Sequence, residues 1–200
     1  MKFDKLIQSL KKNGYEVSYF ENIDKATAYL VDQVRGVSVG FGDSLTLSSM
    51  NLGKVLSEKN LVMNPATSSR ADFINVGKQA LVTDVFFTSV NGVAETGEMV
   101  NIDGSGNRVA GSIFGHKKIY YVFGTNKIEP TLEKAIWRAR NIAAPKNAKR
   151  LGCNTPCAVK GDRCYDCSSK ERICNTMNIH LKKMSNVEAE VIVIGEKLGL

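Results

Sequence analysis

The sequence contains no long apolar run. None approaches the ~20 residues that a helix needs to span a bilayer. The segment from Met1 to Lys12 has neither an apolar signal core nor a small-residue cleavage site, and its spacing predicts an amphipathic helix instead. We therefore expect no membrane span and no secretory leader. The predicted location is cytoplasmic, where thiols stay reduced and metal binding is favoured over disulfides.

Two nucleotide-binding signatures are also missing. The turn at Gly40 and Gly42 is not followed by the Gly-Lys-Ser/Thr of a Walker loop. It also lacks the third glycine of the dinucleotide motif. The sequence therefore carries no NAD or FAD signature. We find no internal repeat and no low-complexity linker.

The composition is that of a globular protein, with 43% hydrophobic and 24% charged residues among 200. The predicted organisation is a single domain over 1–200, with a cysteine-rich segment at 150–180 inside it. Helices are predicted over 3–13, from a cap at Asn22 or Asp24 to Val34, and over 46–57, 69–80 and 130–142. Strands are predicted over 17–20, 37–42, 61–63, 85–90, 94–102, 119–124 and 191–195. This alternation predicts an α/β fold with a mainly parallel sheet.

Polar turns follow three of the predicted strands, which is where ligands bind in open α/β sheets. The first turn is Gly-Phe-Gly-Asp-Ser-Leu-Thr, whose glycines allow close backbone approach and whose hydroxyls face an anion at a helix start. Its candidate ligand-binding residues are Gly40, Gly42, Asp43, Ser44 and Thr46. The alternative is a plain strand-to-helix turn that Ser44 caps.

The second polar stretch leaves the buried strand that begins at Val85. Here Glu95 is a candidate base, nucleophile or hydroxyl binder. Arg108 is a candidate bidentate partner for a carboxylate or phosphate. The remaining candidate ligand-binding residues of this stretch are Asn91, Asp103 and Asn107. The alternative is that Asp-Gly-Ser-Gly-Asn at 103–107 is only a surface loop.

The third polar turn, Gly-Thr-Asn-Lys at 124–127, follows the strand at 119–123. We expect Asn126 and Lys127 to face the same pocket as the first two turns. A solvated lysine at a turn is the alternative.

All five cysteines lie between residues 153 and 174, with the spacing C-x3-C-x6-C-x2-C-x6-C. Thiolates cluster in this way when they share a metal ion or an iron–sulfur cluster. The predicted ligands are Cys157, Cys164, Cys167 and Cys174, holding either zinc or a 4Fe-4S cluster. Cys153 is the spare thiol, and His180 is kept as a substitute ligand, although a lone histidine on a helix is more often a surface residue. Five unligated cysteines are the alternative.

Positive charge is concentrated around the cysteines. The net charge is +7, and residues 138–172 carry nine basic against three acidic side chains. This patch either binds phosphates or nucleic acid, or offsets the negative charge of the thiolates. We favour the second reading because few aromatic side chains interleave with the charges. We do not expect a nucleic acid partner, and any such binding should be lost with modest salt.

Taken as a set, the motifs resemble those of one family. They are the Gly-Phe-Gly-Asp-Ser-Leu-Thr turn, Val-Asn-Gly-Val-Ala-Glu-Thr-Gly at 90–97, Asn-Ile-Asp-Gly-Ser-Gly-Asn-Arg at 101–108, Gly-Thr-Asn-Lys and the Cys-x6-Cys-Tyr-Asp-Cys-Ser-Ser ending. From about residue 5 onward the sequence resembles the LUD domain of lactate-utilisation proteins, formerly DUF162. The resemblance implies a three-layer α/β sandwich similar to NagB, ribose-5-phosphate isomerase and CoA transferases.

The resemblance also implies a role and a site. The family is connected with lactate oxidation through partners that carry iron–sulfur clusters. On the related folds, the turn at 40–46 would face phosphate or CoA-like groups, and Glu95 would lie near a catalytic glutamate. The cysteine segment is absent from some LUD proteins. Without a flavin or nicotinamide signature, we do not expect lactate oxidation by this chain alone.

Three functions remain open at this point. The first is a protein of lactate or organic-acid utilisation that binds a small anionic ligand at the sheet edge and a metal centre at the cysteines. The second is a non-catalytic electron-transfer or assembly subunit that serves iron–sulfur oxidoreductase partners. The third is a zinc-stabilised binding module. The sequence leaves turnover, the metal and the oligomeric state open.

Overall fold

The computed structural model describes residues 3–200 and is built around a six-stranded sheet in which every strand pair is parallel. The spatial order is β1-β10-β7-β4-β2-β3, so the last strand of the chain lies between the first and the seventh. The bounds are β1 Glu16–Phe20, β2 Ser38–Phe41, β3 Leu61–Met63, β4 Val85–Thr88, β7 Lys118–Gly124 and β10 Glu188–Ile194.

Helices cover both faces of this sheet. The bounds are α1 Asp4–Lys12, α2 Ile23–Gln33, α3 Leu45–Ser49, α4 Leu52–Leu56 and α5 Phe73–Ala80. Alternate residues of β7 enter two different cores: Tyr120 and Val122 pack with α2, α3 and α4, while Tyr121 and Phe123 pack with α1 and the end of α5. Burial on both faces explains the continuous apolar run of this strand. The expected α/β fold with helices on both sides of a parallel sheet is confirmed.

A second, four-stranded sheet was not predicted. Its order is β8-β5-β6-β9, with bounds β5 Gly92–Ala94, β6 Met99–Asp103, β8 Ile128–Glu129 and β9 Thr176–His180. The extended segment predicted over 94–102 is in fact two antiparallel strands, β5 and β6, joined by a turn in which Gly97 has φ +98°. The short β8 and the distant β9 complete this sheet through long-range pairing, which leaves only a weak trace in a local pattern.

Two predicted helices have different limits in the structure. The helix predicted over 46–57 is broken into α3 and α4, because Asn51 adopts a left-handed conformation with φ +51°. The helix predicted over 130–142 instead runs on to Arg150. It consists of α7 Leu132–Arg138, a π-helical turn Ala139–Ala143 and α8 Ala144–Arg150. The wider π turn ends at Ala143, two residues before Pro145, whose nitrogen has no hydrogen to donate to the helix.

Two further short helices flank the polar and cysteine segments: α6 Asn107–Gly111 and α9 Pro156–Lys160. Between α9 and β9 the chain has neither helix nor strand. Among residues 3–200, no helix is long and apolar enough to cross a membrane.

His180 is in a strand and not on a helix or at the surface. It lies in β9, is 1% exposed, and has Nε2 3.1 Å from the Ser112 hydroxyl. Its ring meets the Tyr121 ring edge to face. Burial lowers the pKa of His180 to about 4, because desolvation penalises the imidazolium. The side chain is therefore a neutral core residue.

This burial predicts a loss of stability in acid. An unfolded histidine titrates near 6.5, so between about pH 6.5 and 4 the unfolded chain binds a proton that the folded chain does not. Above pH 6.5 the free energy of unfolding does not depend on the titration of His180. Below that pH it falls by up to about 3 kcal/mol as the pH drops to 4. Urea unfolding across this range measures it. His180→Gln should flatten that slope, and an unchanged slope would contradict the assignment.

Candidate functional site

The carboxyl ends of three neighbouring strands, β2, β4 and β7, open into one cavity of about 240 Å³. The turn after β2, Ser89 after β4 and Lys127 after β7 all line it. The loop and helix after β6 and the inner side of α8 form the opposite wall. The three polar turns therefore share one site, as the parallel order of the strands requires.

The glycine turn serves both as a helix cap and as a wall of the cavity. Ser44 caps α3 by accepting a hydrogen bond from the Leu47 amide at 3.5 Å, while the cavity is lined by Gly42, Asp43, Ser44 and Thr46. Asp43 has φ +46°, a left-handed conformation that costs energy for a residue other than glycine. The turn can therefore cap the helix and still present its residues to a ligand, so the two interpretations from the sequence are compatible.

Arg108 extends across the cavity from α6. Its Nη2 donates to the Asn91 side-chain oxygen at 3.3 Å and to the Ile102 carbonyl. Burial lowers the pKa of the Arg108 guanidinium, and the carboxylates of Asp103 and Asp43 oppose that shift. Asp103 also accepts from the Val109 amide at 3.0 Å, which fixes the start of α6. The guanidinium is thus held in place by backbone and amide oxygens.

Gly42 is required for this arrangement. A Cβ atom at Gly42 would lie 2.9 Å from Cγ of Arg108 and 3.1 Å from the Phe86 ring. Only a glycine lets the arginine side chain pass this close to the turn.

Lys127 lines the cavity as a deeply buried basic side chain, with 4% of its surface exposed. Its Nζ lies 3.0 Å from Thr46 Oγ1 and 3.0 Å from Ser89 Oγ. Burial lowers the pKa of Lys127 well below its usual value, and the positive charges of Arg138 and Arg108 lower it further. The amine and two hydroxyls form a compact polar cluster at the inner end of the cavity.

Arg138 holds the walls of the site together from outside the cavity. It is 3% exposed and donates to the carbonyls of Asn126 at 2.8 Å, Asn91 and Leu200 at 3.3 Å. A buried guanidinium with several carbonyl partners fixes the backbone segments that supply them.

Three of the candidate pocket residues do not line the cavity. Glu95 is partly exposed and forms an ion pair with Lys5 at 2.9 Å. Gly40 packs under α5, where a Cβ would overlap the Ala80 carbonyl oxygen. Asn126 accepts a hydrogen bond from the Leu198 amide at 2.9 Å and so orients the chain's last residues. The other nine do line it: Gly42, Asp43, Ser44, Thr46, Asn91, Asp103, Asn107, Arg108 and Lys127.

Sequence reasoning missed part of the site. Ser89 fell inside the strand predicted over 85–90, and only the folded chain places it against Lys127. Asn147 and Arg150 line the cavity from α8. They were overlooked because Pro145 was expected to follow the end of the preceding helix.

The four predicted cysteine ligands line a second, small cavity of about 20 Å³, together with Arg140 and Arg172. Cys153 does not line it. All five thiols are free and partly buried. Among residues 3–200, however, no group of three or more His, Cys, Asp or Glu side chains is arranged to hold a metal ion. The thiols converge on one place without forming a closed coordination shell.

Polar groups lie against these thiols, and the pKa values of Cys167 and Cys153 shift in opposite directions. The Asp166 amide donates to Cys164 Sγ at 3.4 Å, and the Thr155 hydroxyl lies 3.3 Å from Cys157 Sγ. Hydrogen bonds from Ser169, helped by the charge of Arg172, lower the pKa of Cys167. Burial, helped by Glu171, raises the pKa of Cys153. Among these cysteines, the surroundings favour the ionised form of Cys167 and disfavour that of Cys153.

The two cavities share a wall. Ile173 lines both, and α8 borders both, with Asn147 on one cavity and Ala148 on the other. The segment that follows Ile173 is hydrogen-bonded to the loop after β6, since the Asn175 amide donates to the Asp103 carbonyl at 3.0 Å. The Asn175 side chain also donates to the Gly104 carbonyl at 3.1 Å.

The family model described as LUD domain matches residues 3–194. The chain belongs to the LUD domain family. A DUF162 family protein from Deinococcus radiodurans has a similar structure, with a TM-score of 0.54, 12% identity and coverage of 96% of this chain and 94% of that one. That likeness shows the fold of the LUD domain here. The resemblance inferred from the motifs is confirmed.

A second solved structure is similar over a smaller part of the LUD domain. Ribose 5 phosphate isomerase A from Neisseria gonorrhoeae gives a TM-score of 0.36 at 16% identity and covers 55% of this chain and 54% of its own. A search of the curated proteins gave no match.

The close approach at Gly42 predicts a selective defect. The sequence predicts an anion at this turn, and on that prediction Gly42→Ala should displace Arg108 and weaken phosphate binding by about tenfold, the cost of losing roughly one ordinary hydrogen bond. Isothermal titration with inorganic phosphate measures the affinity. Gly77→Ala is the matched control, because its added methyl meets only Asn107 Cβ at 3.9 Å. Equal phosphate affinity in the two variants would contradict the role of Gly42.

Proposed function

We propose that this LUD-domain protein binds a small anionic ligand, with a phosphate, carboxylate or CoA-like group, in the cavity at the carboxyl edge of the parallel sheet. One observation carries the proposal. Two arginines, Arg108 and Arg150, and the amine of Lys127 line this cavity, against two carboxylates, Asp43 and Asp103.

The donors around the cavity support the same ligand class. Guanidinium groups bind planar carboxylates and phosphates through paired hydrogen bonds. The hydroxyls of Ser44 and Ser89 add further donors on the opposite wall. The Ser44, Ser89 and Lys127 side chains are buried, so their contacts act in a lower dielectric than at an open surface. A short organic acid fits this description and agrees with the family's association with lactate utilisation.

We also propose that Cys157, Cys164, Cys167 and Cys174 hold a metal centre, either zinc or a 4Fe-4S cluster. These four thiols border one cavity with two arginines, and Cys153 lies outside it. A cation-rich, hydrogen-bonded setting stabilises thiolates, which are the ligands of both kinds of centre. Binding would draw in a segment that has neither helix nor strand from Gly161 to Asn175.

The identity of the metal separates the two remaining alternatives. Iron would favour an electron-transfer or assembly role beside iron–sulfur oxidoreductase subunits. Zinc would favour a structural clasp that stabilises a binding module. In either case Glu95, which is paired with Lys5 outside the cavity, is not proposed as the catalytic group.

The anion site is tested by Arg108→Ala. Removal of a charged donor should weaken binding of inorganic phosphate, L-lactate or coenzyme A by ~1.5–3 kcal/mol, or about 10- to 150-fold. The shift in melting temperature at saturating ligand reports it, after each variant's own stability has been measured without ligand.

Arg35→Ala is the matched control for that experiment, because Arg35 is exposed and pairs only locally with Asp32 at 2.6 Å. Arg108→Lys should recover part of the affinity, since it restores the charge but not the paired donors. A full ligand-induced shift in Arg108→Ala would rule out the arginine as the anion's partner.

The metal centre is tested by the metal content and visible spectrum of protein purified without oxygen. Cys164→Ser with Cys167→Ser should lose the metal, whereas Cys153→Ser should retain it, because Cys153 lies outside the shared cavity. About four irons with broad visible absorbance indicate a cluster, and one zinc without colour indicates a clasp. Protein without stoichiometric metal after anaerobic reconstitution would refute the proposed centre.

A further inference from the structure

We propose that Lys127 is a nucleophilic amine that forms an imine with the carbonyl group of an anionic ligand in the cavity. This inference rests on the anion site proposed above and deepens it by naming the substrate class. That class is a small aldehyde or ketone that also carries a carboxylate or phosphate.

The first support is the set of partners around the amine. Both hydrogen-bond partners of Nζ are hydroxyl oxygens, Thr46 Oγ1 and Ser89 Oγ, each at 3.0 Å. Within residues 3–200 no Asp or Glu forms an ion pair with it. A buried ammonium without a carboxylate is costly, so the site favours the neutral amine.

The second support is the contrast with the neighbouring cations. Arg138 has Glu129 at 3.8 Å and three carbonyl acceptors. Arg108 has a carbonyl and an amide oxygen as acceptors. The two arginines remain charged, and oxygen acceptors take hydrogen bonds from their guanidinium groups. Their positive charges also lower the pKa of Lys127, in addition to the effect of its burial.

The third support is position. Lys127 and Arg108 line the same cavity, so one small ligand can reach both. Arg108 would hold the anionic group, and the carbonyl carbon would face Nζ. The last residues of the chain cover the amine from the other side, since a Cβ at Gly199 would lie 3.3 Å from Nζ. This enclosure limits the competing access of water.

The chemistry needs no external reagent. The Nζ lone pair attacks the carbonyl carbon and gives a carbinolamine, and the carbonyl oxygen then leaves as water with the two protons that Nζ loses. A carbon–nitrogen double bond replaces the carbon–oxygen double bond, and nothing is oxidised or reduced. The Ser89 and Thr46 hydroxyls lie where they can pass these protons between nitrogen and oxygen.

Reductive trapping tests the inference. The protein is incubated at pH 7 with glyoxylate or glyceraldehyde 3-phosphate and sodium cyanoborohydride, and adducts are located by peptide mass spectrometry. Each unit by which a lysine pKa falls raises its neutral fraction about tenfold at this pH. Lys127 should therefore be labelled at least about tenfold faster than exposed lysines such as Lys11 and Lys134. Propanal, which has no anionic group, should show much less preference.

Two variants sharpen the result. Arg108→Ala should reduce trapping of glyoxylate at Lys127 while leaving the labelling of exposed lysines unchanged. Lys127→Arg should abolish the fast adduct. Labelling spread evenly over surface lysines in the wild-type protein would overturn the inference, and this readout does not depend on whether any variant folds.

Phosphate titration of the same wild-type sample separates the two proposals. Phosphate binding without a Lys127 adduct would leave the anion site standing and overturn the imine, with Lys127 acting only as a tether between the turns. If phosphate does not bind and no adduct forms, both proposals fall.

Discussion

Parallel pairing of β7 with β4 on one side and β10 on the other is the constraint on which the rest of the structure depends. It places the carboxyl ends of β2, β4 and β7 at one edge, so that three polar turns distant in sequence surround one cavity. It also buries both faces of β7, which commits its apolar residues to two separate cores. The polar groups that follow these strands must then find partners inside the protein, because water has limited access to them.

The three buried basic side chains find their hydrogen-bond partners in different ways. Arg138 satisfies the carbonyls of Asn91, Asn126 and Leu200, and so stabilises the walls without entering the cavity. Arg108 is held by oxygens and by the field of two carboxylates, so it stays charged and suited to an anion. Lys127 has hydroxyl partners, which makes it the group of this site whose neutral form is most favoured. In the two proposals, Arg108 binds the anionic group and Lys127 reacts with the carbonyl group, so binding and reactivity rest on different side chains.

The cysteine segment is joined to this site through the backbone. Ile173 separates the two cavities, and Asn175 is hydrogen-bonded to the loop at Asp103 and Gly104. Residues 173–175 therefore connect the cysteine cavity directly to the loop that precedes Arg108. Of the basic residues dense in this part of the sequence, Arg140 and Arg172 lie beside the thiols, while Arg150 lines the other cavity and Arg138 binds backbone carbonyls. The interpretation that these charges offset the negative charge of the thiolates stays a prediction.

Local patterns in the sequence determined the α/β class, the central strands and the three polar turns, because each depends on residues close together in the chain. The cysteine spacing likewise singled out the four thiols that share a cavity. Only the tertiary structure decided the rest. The second sheet forms only when β9 pairs with β6, which lies far from it in the sequence. A π turn joins α7 to α8, so the helix continues past Pro145. Glu95 forms an ion pair with Lys5, and Ser89 accepts a hydrogen bond from Lys127. Long-range packing sets these side-chain partners, and no local pattern encodes them.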